Sequence, residues 1–121
     1  MAVLTKTSLT ATSGVATATV ATASASDTYV YTKGAGELLD MDNTTGGSLT
    51  LNVKGSAPSA AYPVTGVGLP NSTQDLTAGL NIVIAAGTKK IVNLDKISAY
   101  LEGSGTITLS GAATLKLTIY A

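Results

Sequence analysis

The sequence contains no histidine, cysteine, arginine, tryptophan or phenylalanine. Histidine is the side chain that titrates near neutral pH, a cysteine thiolate is a strong nucleophile and metal ligand, and arginine binds phosphate and carboxylate bidentately. A chain without all three has few ways to catalyse a reaction, so we expect a non-enzymatic protein that needs no cofactor. The missing cysteine also excludes disulfides and thiolate metal sites.

Charge is scarce as well. Charged residues make up 12% of the 121-residue chain, and the formal net charge is zero. Every cation is a lysine, and Lys89-Lys90 is the one adjacent pair, so no basic patch indicates nucleic-acid binding. A weakly charged surface offers little electrostatic protection against self-association. These features favour a protein that works within an assembly.

Long apolar runs are absent too. The first residues contain one lysine, Lys6, followed by Thr and Ser, without the apolar stretch of a signal peptide. No run approaches the ~18 apolar residues of a membrane helix. We therefore expect neither a secretion signal nor a membrane anchor, and no membrane partner.

What the chain does contain is short, alternating, β-prone segments between Gly-rich turns. Its length suits one domain, since domains cluster around ~100–150 residues. No window shows helical periodicity, and about eight to ten short strands predict an all-β antiparallel sandwich or small barrel. The predicted strands outside the N-terminal segment are Thr28–Thr32, Glu37–Asp42, Ser48–Lys54, Leu80–Ala85, Lys89–Leu94, Ile97–Leu101, Thr106–Ser110 and Thr114–Tyr120.

Turn signals suggest how these strands pair. Asn43-Thr-Thr-Gly-Gly47 separates the second and third strands, which predicts a hairpin between them. Ala86-Gly87-Thr88 predicts a second hairpin between Leu80–Ala85 and Lys89–Leu94. Leu49, Leu51 and Val53 alternate with polar residues, which predicts one buried and one solvated face.

The N-terminal segment has a composition of its own. From Thr7 to Thr28 nearly every residue is Thr, Ser, Ala, Val or Gly, and Val15–Thr22 alternates small apolar residues with Thr, which predicts a strand. Residues 1–26 are interpreted either as a flexible tail or as an arm that pairs with its own sheet or a neighbour's edge. Residues 27–121 form the single β domain.

A long connection is predicted at about residues 55–79, because it holds all three prolines and much Gly, Ser and Ala. Loops of this length are uncommon unless they are functional or flexible. This loop and the arm are the candidate partner-binding segments. The candidate residues are Val15, Thr17, Thr19, Val20, Pro58, Tyr62, Pro63 and Pro70.

Several motifs suggest chemistry only weakly. Asp40 and Asp42 share a strand face, and 40–46 is faintly similar to a calcium loop, but its glycine falls one place late and no Glu follows. A solvated strand face is the favoured interpretation. Asn71-Ser-Thr73 matches a glycosylation acceptor, which is a coincidence without a signal peptide. Lys89-Lys90 near a serine could form a Ser/Lys pair, but a polar strand start is favoured. No catalytic or metal site is predicted.

The tyrosines leave two interpretations open. Tyr29 and Tyr31 share one strand face, where they serve either core or interface packing or a sugar-binding platform. Carbohydrate modules usually rely on aromatic faces, and Trp is absent, so packing is favoured.

The overall pattern resembles small all-β decoration, or cement, proteins of tailed-bacteriophage capsids. The resemblance rests on three stretches of the chain: MAVLTKTSLTATSGVATATVATA, GELLDMDNTTGGSLTLNVKG and NIVIAAGTKKIVNLDKISAYLEGSGTITLSGAATLKLTIYA. They include a strand that ends in Asn-Thr-x-Gly, a Thr-rich strand and a closing C-terminal strand. The similarity covers most of the chain but is one of pattern, without a diagnostic motif.

The resemblance implies a virion structural protein on the outer capsid surface, made in the host cytoplasm. Its partners would be the major capsid protein, whose subunit contacts it would stabilise, and further copies of itself, with a trimer favoured and a dimer possible. It brings no catalytic residues. The alternatives are another phage tail or fibre module, a bacterial surface assembly or adhesion module and, less favoured, a carbohydrate-binding module.

Overall fold

The protein is an all-β, sandwich-like structure, as the sequence predicts. The computed structural model describes residues 3–8, 15–56, 62–64, 72–74, 76–101 and 105–121. Its strands are β1 (Lys6–Thr7), β2 (Ala21–Thr22), β3 (Ser26–Tyr31), β4 (Leu38–Asp42), β5 (Leu49–Lys54), β6 (Tyr62–Val64), β7 (Ser72–Gln74), β8 (Leu80–Ile84), β9 (Lys89–Asn93), β10 (Gly105–Ser110) and β11 (Lys116–Tyr120). A 3-10 helix (Leu94–Ile97) runs directly into a one-turn helix α1 (Ser98–Leu101).

Two sheets build the sandwich. Sheet A has the strand order β3-β10-β5-β8, and sheet B has the order β1-β11-β4-β9, with β2 also paired to β11. All ladders in these two sheets are antiparallel except β1 with β11, counting the described residues alone. Neither sheet closes into a barrel within that part of the chain.

Three turns each connect a strand of one sheet to a strand of the other sheet. The turns β4–β5, β8–β9 and β10–β11 each join strands that hold the same place in the two sheet orders. The two edge strands β8 and β9 therefore lie on one side of the sandwich. The edge strand β3 and the β1 and β2 pairings lie on the opposite side.

Both predicted hairpins are wrong. β4 pairs with β11 and β9, whereas β5 pairs with β10 and β8, so the Asn43–Gly47 turn crosses between sheets. The same holds for β8 and β9, which pair with β5 and β4 respectively. A Gly-rich turn can form a hairpin within one sheet or connect strands of two sheets. The burial of the two flanking strands decides between these two arrangements.

Two other segments also differ from the predictions. The predicted strand Ile97–Leu101 is helical throughout, and its Leu101 is buried in the core. In the predicted long loop at 55–79, β6 and β7 form a separate two-stranded sheet. None of the helices in the described ranges is long and apolar enough to cross a membrane.

The core lies between the sheets and is largely aliphatic. Leu51 and Val53 of β5, with Leu117 and Ile119 of β11, point inward as the alternation predicts. The largest fully buried side chains are Tyr31, Leu39, Met41, Leu51, Ile84, Leu94, Leu101, Ile107, Leu109, Leu115, Leu117 and Ile119. Burying aliphatic groups of this size stabilises by about 1.5–3 kcal/mol each, which lets the fold stand without disulfides.

Candidate assembly surface

The N-terminal segment covers the β3 edge of sheet A. Val3 forms a parallel bridge with Thr28, and the Leu4 amide donates a 2.7 Å hydrogen bond to the Thr28 carbonyl. The Leu4 side chain is buried in the main core. One apolar anchor therefore holds this part of the arm against the domain.

The same segment covers the free edge of β11 in sheet B. Lys6 and Thr7 pair with Ile119 and Tyr120, and the Ala121 amide donates to the Thr7 carbonyl at 3.1 Å. Further along, β2 pairs with the other end of β11. The arm thus contacts both sheets on this side, through one bridge on β3 and through two short strands on β11, and we call it the capped side. The arm pairs with its own sheets rather than lying apart from them.

The arm residues singled out from the sequence lie between these two anchor points. Val15, Thr17, Thr19 and Val20 are all exposed, with 79% of Val15 and 58% of Val20 accessible. The predicted strand Val15–Thr22 is too long, because only Ala21–Thr22 joins a ladder. The five-residue β11 offers no more edge, since β1 already occupies Ile119 and Tyr120.

The other candidate segment is described only in part. Tyr62 and Pro63 lie on β6, where they stand opposite Gln74 and Thr73 of β7. Pro58 and Pro70 lie outside the described residues. Nothing in the described ranges brings this small sheet into a ladder with the two main sheets.

The opposite side of the sandwich, which we call the open side, is formed by β8 and β9. Among the described residues β8 pairs with β5 alone and β9 pairs with β4 alone. Val83 on β8 is 52% exposed, and Ile91 on β9 is 60% exposed. The sequence did not predict this surface. Ile82, Val83 and Ile84 are all apolar, so their pattern does not show which of these side chains faces solvent.

Two ionisable side chains, Asp95 and Glu37, hold turns together through hydrogen bonds. Asp95 accepts hydrogen bonds at its Oδ1 from the Tyr31 hydroxyl at 2.5 Å and from the Gly34 amide at 2.9 Å. Its Oδ2 accepts from the Gly36 amide at 3.0 Å. The hydrogen bond from Tyr31, followed by that from Gly34, lowers the pKa of Asp95 below its usual range.

Glu37 has a matching role inside the domain. It is fully buried and accepts hydrogen bonds from the Tyr29 hydroxyl and, at 2.7 Å, from the Thr32 amide. Burial, followed by the bond to Glu37, raises the pKa of Tyr29 well above that of a free tyrosine. Burial and the bond to Asp95 raise the pKa of Tyr31 in the same direction.

These contacts decide between the two interpretations of the tyrosines. Tyr29 is 3% exposed and Tyr31 has no exposed surface, so both belong to the core. Their hydroxyls are already bonded to carboxylates. A sugar platform built on this pair is therefore wrong, and the packing interpretation is confirmed for both.

The acidic pair on β4 lies on the outer face of sheet B, where Asp40 stands opposite the exposed Ile91 and Asp42 stands opposite the exposed Lys89. This agrees with the favoured interpretation for Asp42, which is half-buried, but Asp40 is more covered than that interpretation implies. Asp40 is 7% exposed, because β4 lies between β11 and β9 in the sheet. Its Oδ2 is 3.6 Å from the Lys89 Nζ, which places Lys89 in an ion pair. The Asn43 side chain, in the stretch similar to a calcium loop, donates to the Gly47 and Ile84 carbonyls. No cluster of three potential metal ligands occurs within the described residues.

No known family, curated protein or solved structure matches this chain in the three comparisons made.

Proposed function

We propose that this chain is a virion structural protein that decorates the outer capsid surface and stabilises contacts between major capsid protein subunits. The observation that carries the proposal is the arm, whose exposed Val15 and Val20 lie between two anchored points on the domain. The pattern resemblance to phage decoration proteins supplies the class of partner. The capsid site, the virion location and the partner are parts of this proposal.

The geometry suits a clamp. Leu4 at one end and β2 at the other tie the arm to a rigid core, so its exposed stretch is held near one side of the domain. Burying a valine side chain on binding contributes up to about 1.5–3 kcal/mol. Many weak contacts become strong when neighbouring sites on a large assembly are engaged together.

The test uses point variants, because deleting residues 1–26 would also remove Leu4 and Ala23 from the core. We expect Val15→Asp/Val20→Asp to lower occupancy on particles of the phage that encodes the chain by about tenfold or more, since about 1.4 kcal/mol is a factor of ten. Occupancy is measured by cosedimentation with particles separated into heads and tails. Binding to heads supports a decoration role, whereas binding to tails alone contradicts it.

The matched control is Val30→Asp. Val30 is 60% exposed and lies on β3, outside the arm. It should leave occupancy unchanged while testing the effect of a new surface charge. Equal occupancy for the arm variant and the wild type would show that the arm does not make the contact.

A further inference from the structure

We propose that the edge of β8 pairs with the same strand of a second copy, in antiparallel orientation, to join two sheets A into one. The inference rests on the proposed function only in that it names a partner for the assembly, a second copy. Its evidence comes from the open side of the sandwich and does not depend on binding by the exposed Val15 and Val20.

The open side stands out because the other side is protected. An uncovered strand presents unpaired backbone N–H and C=O groups, which is a template for pairing with another chain. The arm covers β3 at Thr28 and covers β11 through β1 and β2. No described residue covers β8 or β9 in this way.

The two open edges differ in charge. Proteins usually protect free edges with charged side chains, proline, bulges or very short strands. β9 begins with Lys89 and Lys90, both exposed, and so carries such protection. β8 has the sequence Leu-Asn-Ile-Val-Ile, with no charge and no proline, and it pairs regularly with β5 along all five residues.

The absence of charge on β8 favours a second copy of β8 as its partner strand. Two copies of a neutral strand meet without opposing like charges, whereas two copies of β9 would bring four exposed lysines to one short edge. A twofold axis at Ile82 places Asn81 opposite the second copy's Val83 and Leu80 opposite its Ile84. Leu80 and Ile82 are each half-buried in one copy, so pairing removes their remaining apolar surface from water.

The size of the edge predicts a weak pair in free solution. A stable interface buries ~1,200–2,000 Å² in total, and a five-residue strand edge offers less than that. We therefore expect a monomer–dimer equilibrium in the micromolar to millimolar range, which would strengthen where an assembly holds neighbouring copies together. Pairing of a strand with itself closes at two, so the inference favours a dimer over a trimer.

Sedimentation velocity of the purified chain over that concentration range is the first test. We expect a reversible dimer in the wild type and a dissociation constant at least about tenfold larger in Val83→Lys, because a lysine is a protective residue on an edge. The matched control is Val30→Lys on the other edge strand of sheet A, where Val30 is similarly exposed at 60%. It should dimerise like the wild type, and circular dichroism should show both variants folded.

Cross-linking tests the register, and the chain is well suited to it because it has no native cysteine. Directly opposed residues have Cβ atoms about 4.5–5.5 Å apart, close to disulfide geometry. A mixture of Asn81→Cys and Val83→Cys chains should form a disulfide-linked heterodimer on mild oxidation. A mixture of Val30→Cys and Val83→Cys chains should not.

Three results would overturn the inference. The first is a monomer at every concentration, and the second is a trimer that Val83→Lys leaves intact. The third is loss of particle binding by Val83→Lys in a chain that never self-associates, which would assign the β8 edge to the capsid protein. Failure of the arm variants to affect occupancy would leave a β8 dimer standing, so the two proposals can fail separately.

Discussion

Asp95 shows how single polar residues organise this protein. It lies in the 3-10 helix after β9, yet its carboxylate binds the Tyr31 hydroxyl and two amides of the Gly34–Gly36 turn. The Asn93 side chain in turn accepts a hydrogen bond from the Asp95 amide at 3.0 Å. One carboxylate therefore connects the end of β3 with the segment that follows β9.

The first prediction concerns the response of Asp95 to acid. Because its pKa is lowered in the folded state, its contribution to the free energy of unfolding is present at neutral pH and is lost as the pH falls below about 4. We expect Asp95→Asn to lower the melting temperature at pH 7 and to lower it less at pH 3. Thermal unfolding at both pH values measures the difference.

Tyr31→Phe is the matched control, because it removes the hydroxyl that donates to Asp95 and keeps the buried ring. It should weaken the acid dependence in the same direction as Asp95→Asn. The double variant should lose less than the sum of the two single losses, since the two groups share one hydrogen bond. Strictly additive losses would show that the two groups do not interact.

Sequence patterns identified most of the elements and few of their partners. β3, β4, β5, β8, β9, β10 and β11 all coincide with predicted strands to within a few residues. The alternation that predicts such a strand is local, whereas the choice between a hairpin and a crossing turn depends on which sheet buries the next strand. That choice is not encoded in Asn43–Gly47 or Ala86–Thr88, so both hairpins were predicted wrongly.

The helix α1 and the assembly surface were harder to predict for related reasons. The sequence Ile-Ser-Ala-Tyr-Leu at 97–101 has residues at its ends that favour strands. The helical conformation buries Leu94 and Leu101 in the core, and this burial outweighs the local preference. The exposed arm valines follow from the biased composition of the segment. The open edge of β8 follows only from the strand order, which no local pattern contains.

Contact between α1 and the end of β5 gives the element-scale prediction. Gly55 follows β5, and its amide donates a 3.1 Å hydrogen bond to the Tyr100 carbonyl. A Cβ atom at Gly55 would collide with the backbone carbonyl oxygen of Leu101, so the backbone must move. We expect Gly55→Ala to lower the free energy of unfolding by about 1–3 kcal/mol or more, measured by urea denaturation.

Gly47→Ala is the control for that substitution. A Cβ at Gly47 meets nothing within 4 Å, and its φ is not positive. The change should be neutral or should stabilise by up to about 1 kcal/mol, because alanine restricts the unfolded chain. Equal losses for the two variants would mean that the approach of α1 to Gly55 is not what makes the glycine necessary.

At the scale of the whole molecule, the two sides of the sandwich are unequal. The capped side is contacted by the described arm residues 3–8 through Leu4 and β1, and by β2. The open side keeps the β8 and β9 edges free of any ladder in the described residues. A protein whose unprotected edges lie on one side can form pairs, whereas a protein with unprotected edges on both sides can form open chains.

Removing residues 1–8 should therefore change the mode of association. The deletion takes Leu4 out of the core and uncovers β3 and part of β11, so we expect a loss of about 2–5 kcal/mol of unfolding free energy and growth beyond a dimer with rising concentration. Urea denaturation and light scattering measure the two effects.

Leu4→Ala is the control, because it keeps the backbone contacts of the arm. This variant should be less stable than the wild type without forming larger species. Adding Val83→Lys to the deletion should stop growth at pairs, since one free edge of sheet A is then protected. A truncated chain with the oligomeric state of the full-length protein would show that the arm does not protect these edges.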